Sequence, residues 1–134
     1  MEPNLIAKLK ELAHEAFKNS YSPYSHFKVG AAVVMKGGSL FSGCNVENAS
    51  YGATVCAERN ALFQAVSKGH KELEAILILT DQEHPWPPCG MCRQVMLEFG
   101  SPETKVFTAN LNGTLNQFTL GQLCPESFTP GNLS

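Results

Sequence analysis

The sequence predicts an α/β protein with three layers, in which a mixed five-stranded sheet lies between helices. Helical and strand patterns follow each other in the order α-β-β-α-β-α-β-β, which is typical of helices packed on both faces of a sheet. Residues 75–79 are unbroken Ala, Ile and Leu, as in a central strand that is covered on both faces. Residues 4–19 place their apolar side chains on one helical face. We expect residues 1–134 to form a single domain.

The first elements are a helix and a hairpin. Asn4 is a candidate cap for the helix over residues 4–19. Strands are predicted at residues 28–35 and 39–46, and the turn between them is Lys36-Gly37-Gly38. A run of small residues in the first strand would let a helix approach the sheet closely. These residues are Gly30, Ala31 and Ala32.

The remaining elements alternate between helix and strand. A helix is predicted over residues 55–68, with Gly69 as its stop, and it is followed by a strand at residues 73–80. A loop with three prolines, residues 81–88, leads into a helix that begins near Cys89 and ends before Gly100. The last predicted elements are strands at residues 105–109 and 115–118 and a helical turn at residues 119–123.

Composition limits the kinds of protein this chain can be. The length of 134 residues and the apolar content of 43% are ordinary for a small globular enzyme or binding module. A net charge of -2 argues against a nucleic-acid-binding protein, which usually has a basic surface. No apolar run approaches the ~20 residues that span a bilayer. The N-terminus lacks the basic and apolar regions of a signal peptide.

Three of the five cysteines lie in two short motifs that are typical of a metal site. The motifs are Cys56-Ala57-Glu58 and Pro88-Cys89-Gly90-Met91-Cys92. Three thiolates can hold a tetrahedral zinc ion and leave its fourth position to water, and thiolate ligands favour zinc over harder cations. An odd number of cysteines argues against a disulfide framework and favours a reducing compartment such as the cytoplasm. The leftover Cys44 and Cys124 are predicted to be small hydrophobic side chains that are buried or half-buried.

The predicted helix starts suit this chemistry. Cys56 and Cys89 each follow a loop at the start of a helix, where free N–H groups favour thiolates. Three thiolates carry more negative charge than zinc neutralises, so we expect Arg59 or Arg93 to donate hydrogen bonds to ligand sulfurs. The backbone N–H groups of Cys56 and Ala57 are candidates to hold an oxygen of the substrate ring.

These motifs resemble those of the small homotetrameric cytidine deaminases of pyrimidine salvage. The chain is similar to that family in four runs, which occur in order within residues 21–94: residues 27–32, 45–52, 56–61 and 88–94. In the broader deaminase signature H-x-E followed by P-C-x-x-C, Cys56 takes the place of the His. The resemblance implies the cytidine deaminase-like fold and hydrolytic deamination of cytidine and 2′-deoxycytidine. It also implies one zinc ion per chain and a tetramer whose subunits share active sites.

The resemblance also implies roles for individual residues. Glu58 would shuttle protons from water to N3 of the pyrimidine ring and then to the departing amine. Asn45 and Glu47 alternate along a strand end, so both side chains can point into one pocket, where they would bind ribose hydroxyls, above all the 3′-hydroxyl. The other implied contacts are Phe27 beside base and sugar, Tyr51 at a subunit junction, and Phe128 reaching a neighbouring subunit's pocket.

Other functions stay open for the same residues. The substrate could be another aminopyrimidine nucleoside such as blasticidin S, although residues 45–48 with Phe27 favour cytidine. A nucleic-acid editing deaminase would need basic segments that the chain lacks. In a non-catalytic zinc module a further side chain would close the site, and the candidates are Cys44, Cys124 and His26.

Plainer interpretations also apply. A C-x-x-C pair such as Cys89 and Cys92 can be a redox dithiol, although Cys56 and Glu58 make that unnecessary. Trp86 either walls the active site or packs under its loop. For several other candidates the alternative to a functional role is an ordinary structural one, in capping, packing or surface ion pairs. These are Phe27, Asn45, Glu47, Glu58, Arg59 and Arg93.

Overall fold

A five-stranded mixed sheet forms the centre of the protein in a computed structural model, which describes residues 1–133. The strands are β1 Val29–Met35, β2 Leu40–Cys44, β3 Leu73–Thr80, β4 Lys105–Asn110 and β5 Leu115–Thr119. They lie in the order β2-β1-β3-β4-β5. Strands β3 and β4 are parallel and all other neighbours are antiparallel, so the predicted mixed sheet is confirmed.

Helices cover both faces of the sheet, as the predicted three layers require. The helices are α1 Pro3–Lys18, α2 Ala57–Ser67, α3 Gly90–Phe99 and α4 Leu120–Leu123, with short 3-10 turns at Tyr51–Ala53 and Pro130–Leu133. Alternate residues of β1 face opposite cores: Ala32 and Val34 pack with the buried side of α1, whereas Ala31 and Val33 pack with α2 and α3. No helix among residues 1–133 has the length and apolarity to cross a membrane.

Glycines in the first two strands allow helices to lie directly on the sheet. A Cβ atom on Gly30 would lie 2.0 Å from the Ala13 carbonyl oxygen of α1, as the predicted close approach of a helix requires. A Cβ atom on Gly43 would lie 2.6 Å from the Ala61 backbone nitrogen of α2. Gly43 therefore fixes how closely α2 packs on β2, and with it where the start of α2 lies.

Several predicted boundaries are wrong. Helix α2 begins at Ala57 rather than at residue 55, because Val55 pairs with Val46 instead. Asn4 does not cap α1, which begins at Pro3 after Glu2; a proline at the first helical position has the right backbone angle and no N–H to satisfy. Strand β2 ends at Cys44 rather than at Val46. Val46 instead forms isolated bridges with Tyr21 and Val55, which draw the chain after β2 towards the start of α2.

We predict that Gly30→Ala destabilises the fold by about 1–3 kcal/mol, because the new methyl group overlaps the backbone of α1. Urea denaturation measures this change as a loss of the free energy of unfolding. Gly52→Ala is the matched control, since a Cβ atom there meets no atom within 4 Å. Equal stability of both variants would contradict the close packing of α1 on β1.

Candidate active site

The three cysteines of the two motifs converge at the starts of α2 and α3. Their sulfur atoms all lie within 4.8 Å of one another. Cys56 and Cys89 are the residues that cap these helices, and Cys92 lies in the first turn of α3. Cys92 is buried, Cys56 is half-buried and Cys89 is exposed, so the cluster opens to solvent on one side.

The spacing of the sulfurs fits zinc. Zn–S bonds of about 2.3 Å in a tetrahedron place two sulfurs about 3.8 Å apart, and the Sγ atoms of Cys56 and Cys89 are 4.0 Å apart. No fourth His, Cys, Asp or Glu joins this group among residues 1–133. Cys44, Cys124 and His26, which would have closed the site in a structural zinc module, thus stay outside it. The three cysteines are positioned to bind zinc and leave one coordination position open.

The pKa values of two of the three thiols are shifted in opposite directions. A hydrogen bond from the Cys92 thiol, with further help from Arg59, lowers the pKa of Cys56 to about 5 in spite of its burial. The same bond to Cys56, together with burial, raises the pKa of Cys92. These shifts favour the thiolate form at Cys56, and binding of zinc by three thiolates requires every one of the cysteines to lose its proton.

Glu58 lies beside the cysteines but is not a member of the ligand group. Its carboxyl group is in the first turn of α2 and only 6% of the residue is exposed. Burial raises the pKa of Glu58 to about 7, and the negative charge of Cys56 adds to this shift. A carboxyl group with a pKa near neutrality can both accept and donate a proton at the working pH, as a general acid–base catalyst must.

The two arginines that follow the motifs have different partners. Arg59 Nη2 donates to the Cys56 sulfur at 3.7 Å and to the Thr54 carbonyl oxygen at 3.4 Å. Its buried Nε atom has no hydrogen-bond partner within residues 1–133. Arg93 instead donates to two carbonyl oxygens, those of Pro88 at 2.8 Å and Leu123 at 2.6 Å. Arg59 thus places positive charge at the sulfurs, whereas Arg93 ties the loop before Cys89 to the C-terminal segment.

A cleft of about 300 Å³ leads to the cysteines, which is the lower end of the range for small-molecule sites. The side chains that bear on its chemistry belong to Phe27, Asn45, Glu47, Cys56, Glu58 and Trp86. Ala57, the first residue of α2, also lines the cleft, and the N–H groups at the start of this helix are free of helical partners. The cleft therefore brings a buried acid, a metal site and polar side chains from β2's end together.

Asn45 is locked in place at the wall of this cleft. Its Oδ1 atom accepts hydrogen bonds from the Val29 backbone N–H at 3.0 Å and from the Ser20 hydroxyl. Its Nδ2 atom donates to the Phe27 carbonyl oxygen at 2.8 Å. An amide nitrogen carries two N–H groups, so one stays available to a ligand.

Glu47 is held as a carboxylate by the loop before β1. Its Oε1 atom accepts from the backbone N–H groups of Tyr24 and Ser25, both at 3.0 Å, and its Oε2 atom accepts from the Ser25 hydroxyl. The hydrogen bond from Ser25 is the main cause that lowers the pKa of Glu47. A carboxylate offers about four acceptor positions, so Glu47 can still accept from a ligand hydroxyl.

The aromatic candidates separate into two groups. Phe27 and Trp86 meet edge to face at the cleft, with ring centroids 4.8 Å apart. Tyr51 and Phe128 do not line this cleft and are 77% and 58% exposed. Tyr51 contacts the ring of Tyr24, and the backbone of Phe128 is held by a 2.7 Å hydrogen bond from Gln94.

Sequence reasoning missed the serines that hold the polar residues of the cleft. Ser20 and Ser25 bond Asn45 and Glu47 across 25 and 22 residues. No local spacing indicates such pairs, because they form only when the loop before β1 folds against the end of β2. The Pro23 turn beside them was the only available signal of an ordered loop.

The fold and the site together define an α/β zinc protein with an open metal position beside a buried acid. A family model described as the cytidine and deoxycytidylate deaminase zinc-binding region matches residues 3–108. The chain belongs to the cytidine deaminase family. It is a family of zinc-dependent hydrolases, which agrees with the three cysteines and the acid found here.

Individual relatives agree with this assignment. The chain is 48% identical over 122 residues to a cytidine deaminase of Halalkalibacterium halodurans, covering 91% of this chain and 92% of the relative. A cytidine deaminase crystal structure from Burkholderia pseudomallei aligns with a TM-score of 0.88 and 45% identity, over 96% of this chain and all of the other. A blasticidin-S deaminase of Bacillus cereus is less similar, with 32% identity over 91% of each chain.

We predict that Cys92→Ala lowers the zinc affinity by more than about 100-fold, because it removes a ligand. Substitution of a residue that only contacts a ligand typically costs about 10- to 100-fold. Zinc content after dialysis, measured by mass spectrometry, reports the loss. Cys44→Ala and Cys124→Ala are the controls and should keep zinc at the level of the unchanged protein. Loss of zinc in either control would show that the site contains a fourth cysteine.

Proposed function

We propose that this chain deaminates cytidine and 2′-deoxycytidine hydrolytically, giving uridine and 2′-deoxyuridine with release of ammonia. The observation that carries the proposal is the position of Glu58, which is buried next to three cysteines that leave one zinc position open. Similarity to the cytidine deaminases described above supports the choice of substrate. The sheltered cleft suits a small nucleoside better than a polynucleotide.

Cys56, Cys89 and Cys92 would hold the zinc ion, which when bound supplies Lewis-acid activation of a water molecule. Glu58 takes a proton from that water and carries it to N3 of the pyrimidine ring. The water oxygen bonds to C4, and Glu58 then moves the proton of the new C4 hydroxyl group to the amino group, whose bond to C4 breaks so that ammonia leaves. The pKa of about 7 suits both transfers, because neither protonation state is strongly disfavoured at neutral pH.

The rest of the cleft would orient the nucleoside. The N–H groups of Cys56 and Ala57 at the start of α2 hold the ring oxygen O2. Asn45 offers its free N–H and Glu47 its remaining acceptor positions to the ribose, chiefly to the 3′-hydroxyl. Phe27 lies beside base and sugar. A site that reads the 3′-hydroxyl does not test the 2′ position, so ribose and deoxyribose both bind.

The arginines would support the metal site in different ways. Arg59 offsets the charge of three thiolates through its contact with Cys56. Arg93 fixes the loop that carries Cys89 by bonding the Pro88 carbonyl. Neither residue is proposed to contact the nucleoside.

We also propose a cytoplasmic homotetramer that serves pyrimidine salvage, with residues 1–134 as one domain in each subunit. The exposed rings of Tyr51 and Phe128 support shared sites, since large apolar side chains on a surface often mark an interface. Tyr51 lies beside Glu47 in a hollow that adjoins the cleft, so a neighbouring subunit there would contact the sugar side of the site. Phe128 would enter the cleft of a neighbour and stack on the base.

We predict that Glu58→Gln keeps zinc but lowers kcat for cytidine by about 10²–10⁴-fold, because the amide cannot shuttle protons. Ammonia release and zinc content are measured on the same sample. Glu98→Gln is the control, because it makes the same substitution at an exposed residue of α3. It should keep full activity. A Glu58→Gln variant with near-normal turnover would refute the proposed mechanism.

We predict that Glu47→Gln lowers kcat/KM for cytidine and 2′-deoxycytidine by about 10- to 100-fold, in line with the loss of a charged hydrogen bond. For the protein without substitution, kcat/KM for 3′-deoxycytidine should be lower than kcat/KM for cytidine by a similar factor. The variant should discriminate much less between cytidine and its 3′-deoxy analogue. If discrimination against that analogue is unchanged, Glu47 does not read the 3′-hydroxyl.

A further inference from the structure

Trp86 forms part of the cleft wall and has no role in the proposed mechanism. It lies between β3 and α3, three residues before Cys89, and the segment from Trp86 to Cys89 borders the cleft. Its indole ring packs against the edge of Phe27 at a centroid distance of 4.8 Å, yet 37% of the residue is exposed. The free part of the indole is therefore available to a ligand.

The chemistry of the pyrimidine ring determines which part of the base faces Trp86. This step rests on the proposed function. C4 has two ring neighbours, N3 and C5. If Glu58 protonates N3, then N3 is on the side of the cleft that α2 provides. C5 then lies away from α2, and the cleft residues that come from the segment between β3 and α3 are Trp86, Pro87 and Cys89.

The backbone of this wall is unusually constrained. Trp86 is flanked by Pro85 and Pro87, and Pro88 follows, so three fixed φ angles surround it. The Pro88 carbonyl oxygen is held at 2.8 Å by Arg93 Nε. The indole also rests on Phe27, whose carbonyl oxygen accepts from Asn45. A wall of this kind cannot easily move aside for a larger substrate.

We propose that Trp86 determines specificity by limiting the size of the substituent at C5 of the pyrimidine ring. Cytidine, with hydrogen at C5, fits between Trp86 and the metal site. A 5-methyl or 5-bromo group would meet the indole or Pro87. A change of about one methyl group in a fitted pocket typically alters kcat/KM by 10- to 200-fold.

The test compares Trp86→Val with the unchanged protein on cytidine, 5-methylcytidine and 5-bromocytidine. The two substituents are similar in size and opposite in electronic effect, so a steric wall affects both alike. The ratio of kcat/KM for cytidine to that for each analogue should fall at least about tenfold in the variant. Zinc content should stay the same. Trp86→Phe keeps a ring against Phe27 and should retain much of the selectivity.

Two control variants separate this effect from general damage. His84→Ala changes an exposed side chain of the same loop and should leave all three substrates unaffected. Phe27→Leu removes the ring on which the indole rests, so it should lower kcat/KM for all three substrates and reduce the ratios less than Trp86→Val does. If Trp86→Val loses zinc, Trp86→Leu, with a larger apolar side chain, takes its place.

The outcomes distinguish this proposal from the proposed function. Absence of cytidine turnover by the unchanged protein would refute the function itself. Turnover of cytidine with unchanged ratios in the zinc-loaded Trp86 variant would refute only the role of Trp86. A change for one analogue but not for the other would point to an electronic cause and would also overturn the steric wall.

Discussion

The constraint on which the structure depends is the meeting of three cysteine sulfurs within 4.8 Å of one another. Thiolates this close repel each other, and a divalent cation between them would offset that repulsion. Positive charge from Arg59 and the free N–H groups at two helix starts favour the ionised form further. These features prepare the site for a divalent cation.

The packing of helices on the sheet places the starts of α2 and α3 next to each other. Gly43 lets α2 lie on β2, and the buried Ala57 and Ala61 keep that contact close. The parallel pair β3 and β4 requires a crossover, and α3 is the helix that provides it. Glu58 lies two residues after the helix cap Cys56, so the same packing that positions Cys56 also buries the acid and raises its pKa.

The sequence was sufficient for features that depend on local pattern. The apolar run in β3 and the spacing within each cysteine motif act through neighbours in sequence. Gly30 acts through α1, but the small residues around it already marked a strand that a helix can approach closely. Features that depend on distant partners were not accessible: the bridges of Val46, the carbonyl partners of Arg93 and the serine contacts of Glu47. The start of α1 was missed because a proline can replace a side-chain cap.

The most direct test of the account is to follow ammonia release by the purified protein, with zinc measured on the same sample. The substrates are cytidine, 2′-deoxycytidine, cytosine, CMP, adenosine and blasticidin S. We expect turnover of the two cytidine nucleosides only, with about one zinc ion per chain bound by Cys56, Cys89 and Cys92. A sample that contains zinc and releases ammonia from none of them, or only from blasticidin S, would contradict it.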